Sequence, residues 1–407
     1  MSTISIIDSN KKFTPLRFYT EFLEKLSEFY KTHRSKKIIF KLFENGDEKI
    51  HESYYRIDPI TLPLLLSIIE QLSKFHKEPL NVLLYNNAAT INVLEFLYKS
   101  DFFKTAGNAN EHNTTGKNII NIDERYFGDF KGIKIRRDHL VRSYSIKEFK
   151  VSREPNSYIE EMKLRDYILS TTTYKIYNHF KELLFENEST LNNHNLYIDI
   201  LSELVTNGIL HSGSTTYAMM FVDKYKTKFS ISDNGIGLKE SLDKKKDLSF
   251  YYTKNEFQES IYQTLKPSIL IDSFKPIFET LFYSSLKERR GLFDLMLIVV
   301  IKSNGYFRLH TDNCQIIASN RIFDQLQKLH KYREEIFNNH MSFELKKIEN
   351  EIYRNTTLKL KEMIKELFLE LFKDIIEYYS EDTRYSSLRF FNVRFRGVHI
   401  EVEIPNI

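Results

Sequence analysis

Apolar positions recur along this chain at helical spacing in some stretches and as short runs or strict alternation in others. Residues 36–43, KKIIFKLF, and 80–85, LNVLLY, predict two strands. Between them Pro59 to Phe75 is apolar at helical spacing, with Asp58 placed to cap the helix and Pro59 at its first position. Asn87 to Tyr98 predicts a further helix, and the polar stretch 106–118, AGNANEHNTTGKN, predicts a loop. Leu196, Ile200 and Leu204, with Leu201, Val205 and Ile209, form two rows at spacing four, so Leu196 to His211 reads as a helix. TTYAMMFVD and TKFSISD then read as antiparallel strands joined around Lys224 to Lys226. From Tyr306 to Arg396 there is no glycine and no proline, and Leu360, Ile364, Leu367, Leu371 and Ile375 recur at helical spacing. That region packs inside the monomer or offers a helical face to a partner or a second copy. VHIEVEIP alternates and predicts a last strand that stops at Pro405.

A length of 407 residues suggests two or three domains, and a hydrophobic fraction of 42% is enough to build cores. A single cysteine, Cys314, excludes an internal disulfide framework and fits a reducing compartment. No apolar run is long enough for a membrane span, and the start, MSTISIIDSNKKF, lacks the apolar core of a signal peptide. The expectation is a cytoplasmic protein with no membrane partner. With 59 Lys and Arg against 55 Asp and Glu, the charge is nearly balanced, which argues against a nucleic-acid partner. The local exception is Lys131 to Arg153, with eight basic residues against Asp138 and Glu148; it reads as a solvated face or as an anion contact.

Three short stretches carry candidate chemistry. Glu203 and Asn207 lie one turn apart on one helical face, with His211 a turn further on. An asparagine carbonyl can ligate a Mg²⁺ ion that carries phosphates, and a nearby carboxylate can orient or deprotonate a nucleophile. Asp233-Asn234-Gly235-Ile236-Gly237 ends a strand. Its carboxylate can accept from an exocyclic amine such as that of adenine, and its glycines let backbone approach a flat base. The same residues also fit a plain β-turn. After Arg289 and Arg290, Gly291 opens an apolar helix that runs to about Ile301, and the helix-start N–H groups beside two guanidinium groups suit an anion; a junction with solvated arginines is the other reading.

In their order, these stretches resemble the GHKL superfamily of ATP-binding proteins. ELVTNGILHS looks like that family's N box, DNGIGL like its first glycine box, and RRGLFDLM like its second. The wording of the N box is closest to the anti-sigma-factor serine kinases and related stand-alone bacterial ATP-binding proteins. The resemblance implies ATP and Mg²⁺ as ligands, Asn207 as the metal ligand and Glu203 as the catalytic base. It implies that Asp233 meets the adenine amine and that Gly235 and Gly237 shape the base pocket. Arg289, Arg290 and Gly291 would meet the phosphates, with His211, Asn234 and Leu292 as further nucleotide contacts and Lys239 to Glu288 as the lid. Arg289 stands where the family usually has a glycine. No phosphoacceptor box precedes the N box; His51 and His139 read as surface residues.

The expected fold class is α/β (α+β). Residues 1–125 form a small α/β regulatory unit that vaguely looks like a STAS domain, and 126–164 a basic linker. Residues 165–312 form a two-layer ATP-binding domain with helices on one face of a mixed sheet. Residues 313–396 are a helical insertion or partner-binding region, and 397–407 the last strand of the same sheet. The expected function is Mg·ATP binding, followed by hydrolysis or by transfer of the γ-phosphate to a serine or threonine of a partner, of STAS or sigma/anti-sigma type. A nucleotide-gated binding module without turnover is the alternative. A DNA-associated ATPase comes third, motivated by the basic stretch.

Overall fold

A computed structural model of the chain describes residues 2–7, 12–34, 36–43, 57–84, 88–107, 119–123, 125, 137–149, 158–185, 187–244, 249–379 and 386–406. Two sheets organise them. The first is parallel, with β1 (Ser2–Ile7), β2 (Ile38–Phe43), β3 (Leu80–Leu83) and β4 (Ile120–Asn121) side by side in that order. Parallel neighbours require crossovers, and helices supply them. Between β1 and β2 run α1 (Pro15–Arg17), a π turn at Phe18–Phe22 and α2 (Leu23–Thr32). A 3₁₀ turn at Pro59–Thr61 leads into α3 (Leu62–His76), and α4 (Ala88–Lys99) and α5 (Phe102–Ala106) precede β4. Asp58 makes no side-chain capping bond; it pairs instead with Lys12 at 3.4 Å and Lys228 at 3.7 Å.

The second sheet holds β5 (His139–Ser145), β6 (Thr215–Val222), β7 (Lys226–Asp233), β8 (Tyr306–Ala318) and β9 (Leu388–Pro405), in the order β5-β6-β7-β9-β8. Every pairing in it is antiparallel, where a mixed sheet was expected, because β9 inserts between β7 and β8 and runs against both. Helices α6 (Tyr158–Phe185), α7 (Glu188–Leu191) and α8 (His194–Ser212) lie between β5 and β6. Between β7 and β8 come α9 (Gly237–Asp243), α10 (Glu256–Thr264), α11 (Ile269–Leu286) and α12 (Leu292–Leu297). The pair α13 (Phe323–Glu344) and α14 (Asn350–Glu377) joins β8 to β9. Among the described residues no helix is long and apolar enough to cross a membrane.

This sheet is covered on both faces, and strand periodicity sorts its residues. Ala218, Met220 and Val222 of β6 join the core shared with the helical layer, whereas Tyr217 and Met219 join the core of the N-terminal unit. The continuous apolar run of β6 is therefore the signature of a strand buried on two sides. The N-terminal cover is α3, set against β6 and β7, and the π turn, whose Phe18 and Tyr19 meet Phe395 and Phe391 of β9.

Several expectations change. The segment expected as a linker contains β5, a full member of the sheet, and the start of α6. Of the basic stretch, residues 131–136 and 150–153 lie outside the described residues, while Arg142 and Arg137 pair with Asp101 at 2.7 and 3.2 Å. His139 is fully buried, not a surface residue: it stacks on Phe96 at 4.3 Å, and its Nε2 lies 3.2 Å from the Phe96 carbonyl. His51 and residues 108–118 lie outside the described residues. The helical insertion packs within the chain: Phe368 and Phe372 of α14 meet Phe282 and Phe278 of α11. Helix α11 is thereby a core helix, so the expected lid, Lys239 to Glu288, is not one free segment.

A polar cluster lies between the π turn and the outer strands. His310 is buried, stacks on Tyr19 at 3.9 Å, and sits opposite His399 in the β8–β9 register. Burial pushes its pKa down to about 3, the neighbouring His399 pushes the same way, and the Asp312 carbonyl and Glu401 oppose. A neutral buried imidazole binds fewer protons than the unfolded chain below pH 6.5. Its contribution is therefore present above that value and is lost as pH falls toward 3. Asp233 and Glu279, both pushed up to about 7, act in the opposite sense, so the effect is read as a difference. We predict that between pH 7.5 and 5.0 the stability of His310→Phe rises relative to the natural chain by about 2 kcal/mol. Urea unfolding at the two pH values measures this, and a constant difference would refute it.

Candidate functional site

Strand β7 places Phe229, Ile231 and Asp233 on the helical side of the sheet, because alternate residues share a face. Across from its end, α8 presents Leu204, Asn207 and His211 at turn spacing. Gly237 and Leu238 at the start of α9 and Val398 and Ile400 of β9 continue the wall. The loop before α12 lines the cavity with Lys287, Arg289, Arg290 and Gly291, and Leu292 at the start of α12 joins them. Eight of the residues singled out from sequence thus line one cavity: Asn207, His211, Asp233, Gly237, Arg289, Arg290, Gly291 and Leu292.

Asp233 is the buried carboxylate of that cavity. Its Oδ1 accepts from the Gly235 N–H at 2.8 Å and the Val398 N–H at 3.4 Å. Among the described residues no donor reaches Oδ2. Burial pushes the Asp233 pKa up to about 7 against the pull of the two backbone donors. The turn is held by close backbone approach. A Cβ on Gly235 would stand 2.3 Å from Ser212, and one on Gly397, whose φ is +112°, would stand 2.0 Å from the Asp233 carbonyl oxygen. No motif around Gly397 marks it in the sequence.

Three expected residues do not line the cavity. Asn234 falls on the opposite face, as period two requires of the residue after Asp233. Its Nδ2 donates to Glu70 Oε2 at 2.5 Å, and its Oδ1 accepts from Gln71 at 3.0 Å. Gly235 faces a second, open cleft on that side. Glu203 is drawn to Arg165 of α6, whose Nη2 donates to its Oε2 at 2.5 Å. Burial raises the Glu203 pKa while the Arg165 charge and hydrogen bond oppose. Arg165 itself lines the cavity and also donates to the Arg290 carbonyl at 3.3 Å. Its neighbour Asp166 pairs with Arg289.

The helix-start anion site is also narrower than expected. The Gly291 N–H donates to Asp294 Oδ2 at 2.9 Å, and the Phe293 N–H to Ser284 Oγ at 3.1 Å. Two of the N–H groups counted toward an anion are already engaged. The loop owes its shape to Arg333 of α13, which is fully buried. Its Nε and Nη2 grip both oxygens of Asp294 at 2.8 and 3.0 Å, while Nη1 and Nη2 donate to the Lys287 and Arg289 carbonyls at 2.7 and 3.0 Å. A signal for it exists in sequence: Leu326, Leu329, Arg333 and Ile336 form one helical stripe, and a lone arginine there must find a buried partner.

Among the described residues no cluster of three or more His, Cys, Asp or Glu side chains is arranged to hold a metal ion. A Mg²⁺ ion held by phosphates, water and one amide oxygen needs no such cluster, so the donor set fits a metal that arrives with its nucleotide. Comparison with protein-family models, curated proteins and solved structures returns no match.

Removing Arg333 would strand Asp294 as a buried charge. We predict that Arg333→Ala costs about 3–5 kcal/mol in denaturant unfolding. A loss below about 1 kcal/mol would show that the loop does not depend on this pair.

Proposed function

We propose that this chain is a Mg·ATP-binding regulatory protein of the GHKL type, and that the bound state of the cavity is what a protein partner reads. The observation that carries this is convergence: three stretches separated by up to ninety residues meet around one buried carboxylate. Leu204, Ile231, Leu238 and Ile400 offer apolar surface for a flat base, and Asp233 Oδ2 stands ready for an exocyclic amine. Lys287, Arg289 and Arg290 bring positive charge to the other end, where phosphates belong. Asn207 lies between these ends in the chemistry it offers, an amide oxygen for Mg²⁺. When bound, ATP would supply a transferable γ-phosphate. Helix α9, which carries Gly237 and Leu238 on the cavity wall and is seven residues long, is the element best placed to shift on binding, since α11 is fixed in the core.

Two readings divide at Glu203. In the first, Glu203 acts as a base for hydrolysis or for transfer to a serine or threonine of a partner. Arg165 must then leave it, and phosphate oxygens are a competing partner for that guanidinium. In the second, Arg165 keeps Glu203 engaged and the chain is a nucleotide-gated binding module without turnover; the observed ion pair favours it. The DNA-associated reading has less support, since Arg137 and Arg142 of the basic stretch are drawn inward to a shared carboxylate, that of Asp101. The N-terminal α/β unit, with its looser likeness to STAS domains, remains the natural candidate for partner contact.

Calorimetry with Mg·ATP tests the reading directly. An adenine amine binds the ionised form of Asp233, whose free pKa is about 7. Affinity is therefore full above that value and falls as pH drops, by about tenfold between pH 8 and pH 6. Asp233→Asn is expected to weaken binding by about tenfold or more at pH 8 and to lose the part of the pH dependence due to Asp233. No heat with the natural chain would end the proposal. For turnover, ADP and phosphoprotein formation are compared between the natural chain and Glu203→Ala. A drop of about a hundredfold or more assigns a base; equal inertness with ATP still bound leaves the gated module.

A further inference from the structure

The reverse side of the Asp233 turn is not flat surface. An open cleft of about 930 Å³ lies between the N-terminal unit and the turn, floored by Ser212, Gly213 and Ser214 and by Asn234 and Gly235. Four cations line it: Arg34 after α2, Lys74 on α3, Lys244 after α9 and Arg396 on β9. None of the described residues that line it carries a carboxylate. Lys74 pairs with the buried Glu70 at 2.7 Å and Lys244 with Glu240 at 3.0 Å. Arg34 and Arg396 are exposed, and among the described residues neither has an ion-pair partner. Phe75 is 62% exposed at the rim, its ring edge-on to Tyr30 at 5.9 Å.

Lys74 and Lys244 have carboxylates of their own, so the charge left uncompensated in this concavity is that of Arg34 and Arg396, which an anion seated between them would offset. An exposed aromatic ring beside guanidinium groups adds a stacking face. We infer that this cleft is a second ligand site, for a nucleoside phosphate: phosphates against Arg34 and Arg396, and the base against Phe75. A cleft of this size accommodates such a ligand. The assignment is independent of the Mg·ATP reading, because it shares no cleft-lining side chain with the Asp233 cavity except Ser212, which lines both. The same chemistry has two sources, a free nucleotide and a single strand of nucleic acid.

The test is calorimetry on the full chain at physiological ionic strength with three probes: uridine triphosphate, a short oligothymidylate and inorganic tripolyphosphate. The first two lack adenine, and the third lacks a base. Saturable binding of uridine triphosphate that weakens about tenfold or more in Arg34→Ala/Arg396→Ala and in Phe75→Ala supports the site with a free nucleotide as its source. Tighter binding of oligothymidylate with the same sensitivity supports it with a strand as its source. All three side chains are solvent-facing, so these variants keep the fold, and circular dichroism checks that they do. Binding of tripolyphosphate as tight as the nucleotide, or binding indifferent to Phe75, would overturn the assignment. So would loss of uridine triphosphate binding in Asp233→Asn, which would move the probe to the other cavity, and so would no binding by any probe.

Discussion

A carboxylate with no exposed surface, that of Glu70, ties the two halves of this molecule together. It projects from α3 into the end of the antiparallel sheet, where Thr215 and Tyr217 donate to it at 2.8 and 3.0 Å and Asn234 at 2.5 Å. Lys74, one turn along the same helix, supplies the opposite charge. An ionised carboxylate buried without such partners would cost several kcal/mol, so this ring of donors decides where α3 can sit. Because two donors lie on β6 and the third follows β7, the N-terminal unit is registered against the strands that frame the cavity. The constraint reaches the buried Asp233 through a single peptide unit, since its neighbour Asn234 is one of the donors.

That adjacency follows from the pleat. Along β7 the residues alternate between two layers, both of them filled, so the carboxylate of Asp233 enters one and the amide of Asn234 the other. Asn234 thus lies on the face away from the cavity for a reason legible in the sequence. The strand period that put Asp233 beside Ile231 excludes its neighbour from the same wall. What could not be read locally was that the second face was also covered. An Asp-x-Gly-x-Gly turn looks alike whether solvent or another domain lies behind it.

The helices and strands that were legible share one property: their burial repeats within a few residues. Leu360, Ile364, Leu371 and Ile375 are buried as their spacing implied, and β6, β7 and α8 fall within a few residues of where they were expected. The misplaced elements depend on partners far away in the chain. Strand β5 carries His139 and Arg142, polar residues that suggest a surface linker. They are buried only because Phe96 and Asp101 from the N-terminal unit receive them. Helix α11 falls within the stretch that the resemblance alone implies as a lid. It is held by Phe368 and Phe372, some ninety residues downstream. The candidate site shows the same division. Its motif residues were visible, while Arg165 and Arg333, which hold Glu203 and the loop before α12, come from helices with no motif to mark them.

These long-range ties decide what the cavity can do mechanically. The loop of Lys287 to Gly291 is gripped by Arg333 from behind, and packing of aromatic rings holds α11 and α14 together, so the cationic end of the cavity is rigid. The Asp233 end is rigid as well, because Gly235 and Gly397 leave no room between the turn and its neighbours. With both ends held in this way, a ligand entering the cavity would act on short α9 and on the Arg165–Glu203 pair. Both touch the cavity wall, and α9 is followed directly by Lys244 on the rim of the opposite cleft. A displacement of α9 would thus be felt on both sides of the same turn, with no need for a relay through the core.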